Sequence, residues 1–340
     1  MKPYRLGFLG FGNVGRALAR LFDVKSNELR ANYGIDWTIT GVATRRMGWR
    51  SRDAGFDVAD LLSLTTEAAE DFETQTSVTE WLNAARPDVV FETTSLNPEN
   101  GQPAIDYMKA ALEAGAHVIT ANKAPIVYSY KELNTLAISK GKRLLFESTV
   151  LDSAPVFSLF RETLPVAKLR GFSGIFNSTT NVILETMEAG RSFDEGVKAA
   201  QDLGVAETDP THDVEGWDAI MKICALANVI QGGRLLPVDV RREGIRGLNP
   251  ATLQMARAEG RPYKLVARAR VKDDGSIEAS VRPEQVTSSE PFGSVRGTSL
   301  AVHFELDMIP GLTVISHRPN LQSTAYGLLA DCVNALRSER

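Results

Sequence analysis

Cysteine is scarce in this chain of 340 residues, which contains only Cys224 and Cys332. Both lie in apolar helical patterns without the spacing of metal ligands around them. The histidines likewise show no ligand spacing such as HExxH and no partner that would mark a catalytic triad. We therefore expect the cysteines to be buried thiols in a reducing compartment.

The chain also lacks a large net charge, because 38 Lys and Arg residues face 42 Asp and Glu residues, a net charge of -4. Such a balance leaves no overall field to hold a polyanion, which argues against nucleic acid as the principal partner. No apolar run approaches membrane-spanning length, and residues 1–5 lack the features of a signal peptide. We expect a cytoplasmic protein with a small-molecule substrate and no membrane partner.

The first part of the chain has the pattern of an α/β protein. From Tyr4 to Glu147, short apolar runs alternate with longer stretches of helical period, as in parallel strands joined by helical crossovers. This alternation predicts a doubly wound parallel sheet. The predicted strands are residues 5–9, 38–43, 88–92, 117–120 and 144–147, and the predicted helices are residues 14–22, 103–114 and 130–140.

The pattern changes beyond Val150, where glycine-punctuated β-like runs are interleaved with helical segments. Residues 169–176 and 265–271 are two of these runs, and together with the helical segments they predict a second, α+β domain. Asp274-Gly275 predicts a hairpin turn, since this dipeptide supplies the positive φ angles that a tight turn requires.

We place the first domain at residues 1–148 and the second, catalytic and dimerisation domain at residues 149–319. A further helix is predicted at residues 322–336. This C-terminal segment, residues 320–340, could return to complete the first domain, but the sequence alone does not place it.

A glycine motif directly follows the first predicted strand and opens the first predicted helix. It reads Gly10-Phe11-Gly12-Asn13-Val14-Gly15. In such a motif the first glycine permits a tight turn, the second lets the backbone approach a pyrophosphate, and the third allows close helix–strand packing. The motif predicts a Rossmann-type NAD(P)-binding domain; the alternative is a glycine-rich turn without a ligand.

The residues after the second predicted strand are basic. NAD-preferring proteins usually carry an acidic residue there to hold the ribose hydroxyls, whereas this chain has Arg45 and Arg46. Guanidinium groups match phosphate geometry and therefore favour NADP over NAD, unless both are solvated surface charges. Thr94 and Ser95 follow the third predicted strand, at the edge that faces the cofactor in such sheets.

Residues 217–230 have the pattern of an apolar helix whose only charges are Asp218 and Lys222. These residues are four positions apart and share one face. A surface ion pair is the alternative, but the helix is apolar nearly all round, so we expect Lys222 to be enclosed. An enclosed ammonium is easier to deprotonate, as a proton donor and acceptor for an alcohol–carbonyl pair must be.

Carboxylates are dense in the loop before that helix, where residues 206–216 include Glu207 and Asp213. They suggest either cation binding or capture of an amino-acid ammonium group; the alternatives are solvated loop acids and helix capping. Lys123 lies directly after a strand of the first domain. It could stabilise negative charge on a reacting oxygen, or be an ordinary loop lysine.

Taken together and in this order, several blocks of the chain resemble the homoserine dehydrogenase family over most of its length. The blocks are residues 10–15, 120–123, 174–181, 200–210 and 213–222. The resemblance implies reversible interconversion of L-homoserine and L-aspartate 4-semialdehyde, with hydride passing to or from a nicotinamide. It also implies a homodimer in a short form without the C-terminal regulatory domain that the family often adds.

The resemblance further assigns roles to single residues. Lys222 would be the acid/base residue, and Lys123 would bridge cofactor and substrate. The positions that would hold the substrate are Glu207, Asp213, Asp218 and Thr179. A monovalent cation such as sodium would be held largely by backbone carbonyls of Glu147, Val150, Asp152 and Ala154.

The chain departs from the family pattern at Leu151-Asp152-Ser153, where the family usually has a glycine-rich turn. Side chains there would occupy space beside the nicotinamide. A second hypothesis is therefore a dehydrogenase of the same architecture that acts on another small hydroxy or amino acid. A third is a protein that senses NADP without catalysis.

Overall fold

The computed structural model describes residues 2–63 and 73–337. The chain divides into one unit made of residues 1–153 and 320–340 and a second unit, Ala154–Pro319. Residues 64–72 of the predicted first domain and residues 338–340 of the predicted C-terminal segment lie outside the described residues. Among the helices that are described, none combines the length and the apolar character needed to cross a membrane.

A sheet of seven strands lies at the centre of the first unit, counted over the described residues. The strands are β1 (Tyr4–Leu9), β2 (Trp37–Thr44), β3 (Gly48–Phe56), β4 (Glu73–Gln75), β5 (Val89–Glu92), β6 (His117–Thr120) and β7 (Leu144–Leu145). Their order is β4-β3-β2-β1-β5-β6-β7, and the five strands from β2 to β7 in that order pair in parallel. The predicted α/β fold with a parallel sheet is confirmed.

The sequence did not predict β3 and β4, which extend this sheet in antiparallel orientation beyond β2. β3 contains Arg50, Arg52 and Asp53 and therefore lacks the apolar run by which the other strands were recognised. Its pairing with β2 turns the chain tightly back at residues 45–47. This turn places Arg45 and Arg46 at the carboxyl end of β2.

Five helices of the first unit precede the second unit in the described residues. They are α1 (Asn13–Tyr33), α2 (Val58–Ser63), α3 (Val78–Ala85), α4 (Ala104–Glu113) and α5 (Lys123–Ser139). α1 is longer than predicted and ends at Gly34, which adopts a left-handed conformation with φ 59°. α5 begins at Lys123 rather than at residue 130, because Asn122 caps the helix there. Ser129, directly before the predicted start, has a non-helical backbone conformation that interrupts the helix.

The second unit contains a six-stranded sheet in the part of the chain that the structure describes. Its strands are β8 (Leu169–Ile175), β9 (Arg241–Arg242), β10 (Tyr263–Val271), β11 (Ile277–Gln285), β12 (Leu300–Leu306) and β13 (Leu312–Ser316), in the order β13-β12-β8-β10-β11-β9. Its helices are α6 (Ser178–Glu188), α7 (Phe193–Asp202), α8 (Thr211–Val214), α9 (Trp217–Ile230) and α10 (Pro250–Ala258). The predicted hairpin is present between β10 and β11, with Gly275 at φ 81°.

The C-terminal helix α11 (Leu321–Arg337) belongs to the first unit. Its Leu328, Cys332 and Leu336 are buried in the same apolar cluster as Leu6 of β1 and Phe22 of α1. Cys332 and Cys224 are both buried free thiols, as the sequence predicted, and burial raises the pKa of each.

The predicted strand at residues 144–147 is shorter in the structure, because Glu147–Thr149 forms a 3-10 turn. The Glu147 amide donates a hydrogen bond to Asp331 Oδ2 of α11, 2.8 Å away, and Ser148 Oγ donates to the Thr324 carbonyl, 2.8 Å away. The C-terminal helix therefore holds the chain in a turn at the point where an extended strand was expected.

Candidate active site

The glycine motif forms the turn between β1 and α1. Gly10 has φ 89°, and a Cβ at this position would lie 2.5 Å from the Thr93 carbonyl oxygen. At Gly15 a Cβ would lie 2.8 Å from the Gly10 carbonyl oxygen. Gly12, by contrast, has no atom within 4 Å of such a Cβ, and it precedes α1 without a side-chain cap. The N-terminus of α1 is therefore open to an anion such as a phosphate.

A cavity of about 1040 Å³ adjoins this turn within the first unit. The cavity volume and its open helix N-terminus fit a dinucleotide. Residues predicted to contact the cofactor that line it are Gly10, Phe11, Gly12, Arg45, Arg46, Thr94 and Ser95. The Arg45 guanidinium donates to Ser95 Oγ at 3.3 Å, so the loops after β2 and β5 meet here. Asn13, Val14 and Gly15 follow as the first residues of α1.

Sequence reasoning missed an aromatic wall of the same cavity. Trp49 of β3 and Tyr107 of α4 both line it, with their ring centroids 5.3 Å apart in an edge-to-face arrangement. The signal was absent because β3 was not recognised as a strand. These two rings add aromatic surface to the cavity that Arg45 and Arg46 also line.

Glu92 is a second residue that sequence reasoning missed. Its side chain is fully buried at the carboxyl end of β5 and accepts hydrogen bonds from the amide and hydroxyl of Thr94. It also accepts from Thr120 Oγ1 of β6, 2.8 Å away. Burial raises the pKa of Glu92 above its usual range, although these hydrogen bonds act in the opposite direction. An acidic residue that ends a fully apolar strand was the available signal.

Lys123 is the first residue of α5 and follows β6 by two residues. Asn122 caps the helix, accepting a hydrogen bond from the Ala124 amide at 3.2 Å. The main-chain N–H of Asn122 donates a hydrogen bond to Thr120 Oγ1 at 2.9 Å. Lys123 is half-buried. The hydrogen bonds at Asn122 and Thr120 define the turn before it and connect this turn to Glu92.

In the second unit, α9 carries Lys222 in the enclosed position that the sequence predicted. The side chain of Lys222 is 13% exposed, and its ammonium lies 2.9 Å from Asp218 Oδ2. Lys222 Nζ also donates to the carbonyl oxygen of Phe176 at 2.5 Å. An ammonium held between a carboxylate and a carbonyl is fixed in direction.

The residues around this lysine form a polar cluster within the second unit. Thr179 Oγ1 donates to Asp213 Oδ2 at 2.8 Å, and Asn177 Nδ2 lies 2.7 Å from Asp213 Oδ1 and 3.0 Å from Asp218 Oδ2. Burial raises the pKa of Asp213, the charge of Asp218 adds to this, and hydrogen bonds from Thr179 and Asn177 oppose it. The structure thus brings three predicted site residues, Thr179, Asp213 and Asp218, to Lys222.

Glu207 lies in the segment between α7 and α8 and is exposed. Its main-chain carbonyl accepts a hydrogen bond from Gln201 Nε2 at 3.2 Å. This contact ties the main chain at Glu207 to the last turn of α7, while the Glu207 side chain is exposed. The acidic loop is partly helical, because Thr211–Val214 forms α8.

The residues expected to hold a cation lie in the turn after β7. Val150 is buried, and Asp152 adopts a left-handed conformation with φ 54°. The Asp152 carboxylate accepts from Ser323 Oγ at 3.4 Å and from Thr324 Oγ1 at 3.3 Å. Ala154 is the first residue of the second unit. Within residues 2–63 and 73–337, no group of three or more His, Cys, Asp or Glu side chains could hold a metal ion.

Comparison with known proteins covers most of the chain. Residues 155–333 match the family model described as homoserine dehydrogenase, and residues 10–147 match the one described as homoserine dehydrogenase, NAD binding domain. An NAD(+)-dependent homoserine dehydrogenase of Pseudomonas canavaninivorans is 34% identical over 343 residues, which are 99% of this chain and 97% of that protein.

Solved structures give the same result. A crystal structure from Archaeoglobus fulgidus, assigned as a homoserine dehydrogenase, has a TM-score of 0.85 at 31% identity and covers 97% of this chain and 98% of its own. A hyperthermophilic archaeal homoserine dehydrogenase in complex with NADPH has a TM-score of 0.82 at 28% identity, covering 99% and 98%.

Proposed function

Because this chain belongs to the homoserine dehydrogenase family, and is an NAD(P)-dependent oxidoreductase acting on a CH–OH group, we propose that Lys222 is its proton-transfer residue and NADP its preferred cofactor. The reaction interconverts L-homoserine and L-aspartate 4-semialdehyde and belongs to amino-acid biosynthesis. The enclosed ammonium of Lys222, held between Asp218 and the Phe176 carbonyl, is the observation that carries the proposal.

The proton step follows from the chemistry of an aldehyde. A bound nicotinamide would supply the hydride for the carbonyl carbon. The carbonyl oxygen would then carry negative charge and need a proton. The Lys222 ammonium supplies this proton in reduction and recovers it in oxidation. Asp218, 2.9 Å from Nζ, fixes the ammonium in place and balances its charge in a site with little solvent.

Lys123 has a supporting electrostatic role in the proposal. It occupies the first position of α5, where the helix dipole adds positive potential to that of its own ammonium. Fixed positive charge of this kind stabilises the oxyanion that forms during hydride transfer. Lys123 would thus contact both cofactor and substrate, and its position is defined by the bonded turn at Thr120 and Asn122.

The carboxylates are proposed to hold the substrate's ammonium group. Glu207 and Asp218 would contact it directly, and Asp213 and Thr179 would complete this part of the site. Asp213 and Thr179 are bonded to each other at 2.8 Å, which supports a fixed contribution to the shape of the site. The Glu207 side chain is exposed and therefore accessible to a ligand.

The preference for NADP is supported by Arg45 and Arg46, which line the cavity at the carboxyl end of β2. Arg45 is directed toward Ser95, where a 2′-phosphate could accept hydrogen bonds from both. The relatives do not decide the matter, since one is described as NAD(+)-dependent and another is in complex with NADPH. The ratio of kcat/KM for NADP and NAD decides it.

Three further features are proposed from family membership. A monovalent cation such as sodium would be held by main-chain carbonyls in the turn at residues 147–152, and sodium titration of activity tests this. The protein would be a homodimer, which light scattering of the purified protein tests. A cytoplasmic location is tested by fractionation of cells.

One observation favours a second candidate substrate. Asp152 has a side chain at a left-handed position, φ 54°, in the turn after β7. A dehydrogenase for another small hydroxy or amino acid would account for this residue.

The purified protein should therefore be assayed with NADP, L-homoserine and a panel of small hydroxy acids. Turnover of homoserine supports the first proposal; turnover of another alcohol alone rejects it in favour of the second. Cofactor binding without any turnover supports an NADP sensor.

A further inference from the structure

We propose that Asn177 is a positioning residue whose amide bridges the carboxylates of Asp213 and Asp218 and thereby holds Asp218 against Lys222. The inference rests on the proposed role of Lys222 and adds to it a residue that determines the geometry of the proton-transfer group. Asn177 lies at the junction of β8 and α6.

The orientation of the Asn177 amide is fixed by its own helix. Asn177 Oδ1 accepts a hydrogen bond from the Thr180 amide at 2.9 Å, as the cap of α6. The amide nitrogen therefore points away from the helix, toward Asp213 Oδ1 at 2.7 Å and Asp218 Oδ2 at 3.0 Å. Because an NH₂ group has two protons, it can donate to both carboxylates at once.

Two carboxylates this close need such a donor. The charged groups that face the Asn177 amide are Asp213 from α8 and Asp218 and Lys222 from α9. Asp218 raises the pKa of Asp213, whereas the hydrogen bond from Asn177 lowers it. The bridge thus favours the state in which both carboxylates are ionised, and an ionised Asp218 is the partner that Lys222 requires.

The main chain next to Asn177 holds the other side of the lysine. Phe176 accepts from Lys222 Nζ through its carbonyl oxygen, 2.5 Å away. Two consecutive residues at the end of β8 therefore define both partners of the ammonium, one directly and one through Asp218. A change at Asn177 should alter the direction of the ammonium without removing the lysine.

Two substitutions separate the bridge from the helix cap. Asn177→Ser keeps an oxygen that can accept from the Thr180 amide but has no NH₂ group. Asn177→Asp keeps the size and the cap but places a third carboxylate beside Asp213 and Asp218. Near neutral pH we expect each to lower kcat/KM for homoserine by about 10- to 100-fold, mostly through kcat, since hydrogen bonds to charged groups are lost.

The pH profile provides a readout that a merely structural role would not change. When Asn177→Asp binds a proton, its carboxyl group can again donate a hydrogen bond to a neighbouring carboxylate. Its activity relative to wild type should therefore rise as the pH falls, whereas that of Asn177→Ser should not. Asn249 is the matched control, because it caps α10 in the same way, through the Ala251 amide at 2.8 Å. Asn249→Ser and Asn249→Asp should stay within about twofold of wild type at each pH.

The inference is overturned if both Asn177 variants stay within twofold of wild type, or if Asn177→Asp shows no recovery at low pH. Should the wild type prove inactive on homoserine, the proposed function fails, but the bridge can still be tested by stability. The amide stabilises ionised carboxylates, so the loss in Tm caused by Asn177→Ser should be larger at pH values above their titration than below it. A loss that does not vary with pH would then overturn the bridge.

Discussion

The carboxyl group of Glu92 and the hydroxyl of Thr120 are hydrogen-bonded at 2.8 Å, and both side chains are fully buried. The bond joins the carboxyl ends of β5 and β6, which lead to Thr94 and to Lys123 respectively. Burial raises the pKa of Glu92, so folding makes this carboxyl group harder to ionise.

This linkage predicts how Glu92→Gln changes stability with pH. A carboxyl group whose pKa is raised by folding stabilises the protein fully below its unfolded pKa, and this contribution is lost as the pH rises toward the folded pKa. A glutamine cannot ionise, so its contribution to the free energy of unfolding does not fall as the pH rises. The free energy of unfolding of Glu92→Gln, relative to wild type, should therefore increase as the pH rises above the ordinary value of 4.5.

Urea unfolding at a series of pH values measures this difference. Glu113→Gln on the exposed end of α4 is the control, and it should change the free energy of unfolding by less than about 0.5 kcal/mol. A difference between Glu92→Gln and wild type that stays constant, or that shrinks at higher pH, would show that Glu92 does not take up a proton on folding.

Removal of the Lys222 amine should reduce catalysis while leaving cofactor binding intact. We expect Lys222→Met, which keeps the apolar stem, to lower kcat by about 10²- to 10⁴-fold, the range typical of general acid–base groups. Lys198→Met is a matched control, because Lys198 also forms an ion pair with an aspartate four residues away in its helix, but is exposed. Steady-state kinetics and NADP binding by fluorescence check both variants, and near-normal turnover of Lys222→Met would disprove the mechanism.

The sequence was sufficient where local chemistry determines structure. Gly10 and Gly15 have no space for a side chain, so their identity predicts the turn. The strands β1, β5 and β6 follow from short, mainly apolar runs. The pairing of Asp218 with Lys222 also follows from a spacing of four residues in a helix.

What the sequence could not predict depends on contacts between distant segments. β3 is stabilised as a strand by pairing with β2, although its charged residues resemble a loop. Asn177 lies 36 residues from Asp213 and 41 from Asp218, so only the folded chain shows the bridge. The turn at Glu147 depends on Asp331 of the C-terminal helix, 184 residues away.

Cofactor preference should depend on the guanidinium groups after β2. Arg45→Ala should lower kcat/KM for NADP by about tenfold or more, because a charge-assisted contact with phosphate is lost, and should change kcat/KM for NAD much less. Arg46→Ala should act in the same direction. Arg52→Ala, an exposed arginine of β3, is the control. Equal losses with NADP and NAD in the Arg45 variant would contradict recognition of a 2′-phosphate.

A buried ion pair in the second unit should contribute to stability beneath the α6 helix. Lys264 of β10 is 1% exposed and lies 3.0 Å from Glu185 of α6, which also accepts from the Gly297 amide at 3.0 Å. Removal of Lys264 leaves the Glu185 carboxylate with the Gly297 amide but without the charge of the lysine, so Lys264→Met should lower the free energy of unfolding by roughly 3 kcal/mol. Lys272→Met, at an exposed position, should change it by less than about 0.5 kcal/mol.

The effect of Lys264→Met should also depend on pH in a defined direction. Burial lowers the pKa of Lys264 below its ordinary value of 10.5, more than Glu185 raises it. A lysine whose pKa is lowered by folding contributes stability that is complete above its unfolded pKa and is lost as the pH falls through the folded pKa. The difference in unfolding free energy between wild type and Lys264→Met should therefore grow as the pH approaches 10.5 from below. A difference that shrinks over this interval would mean that attraction to Glu185 outweighs the cost of burying the charge.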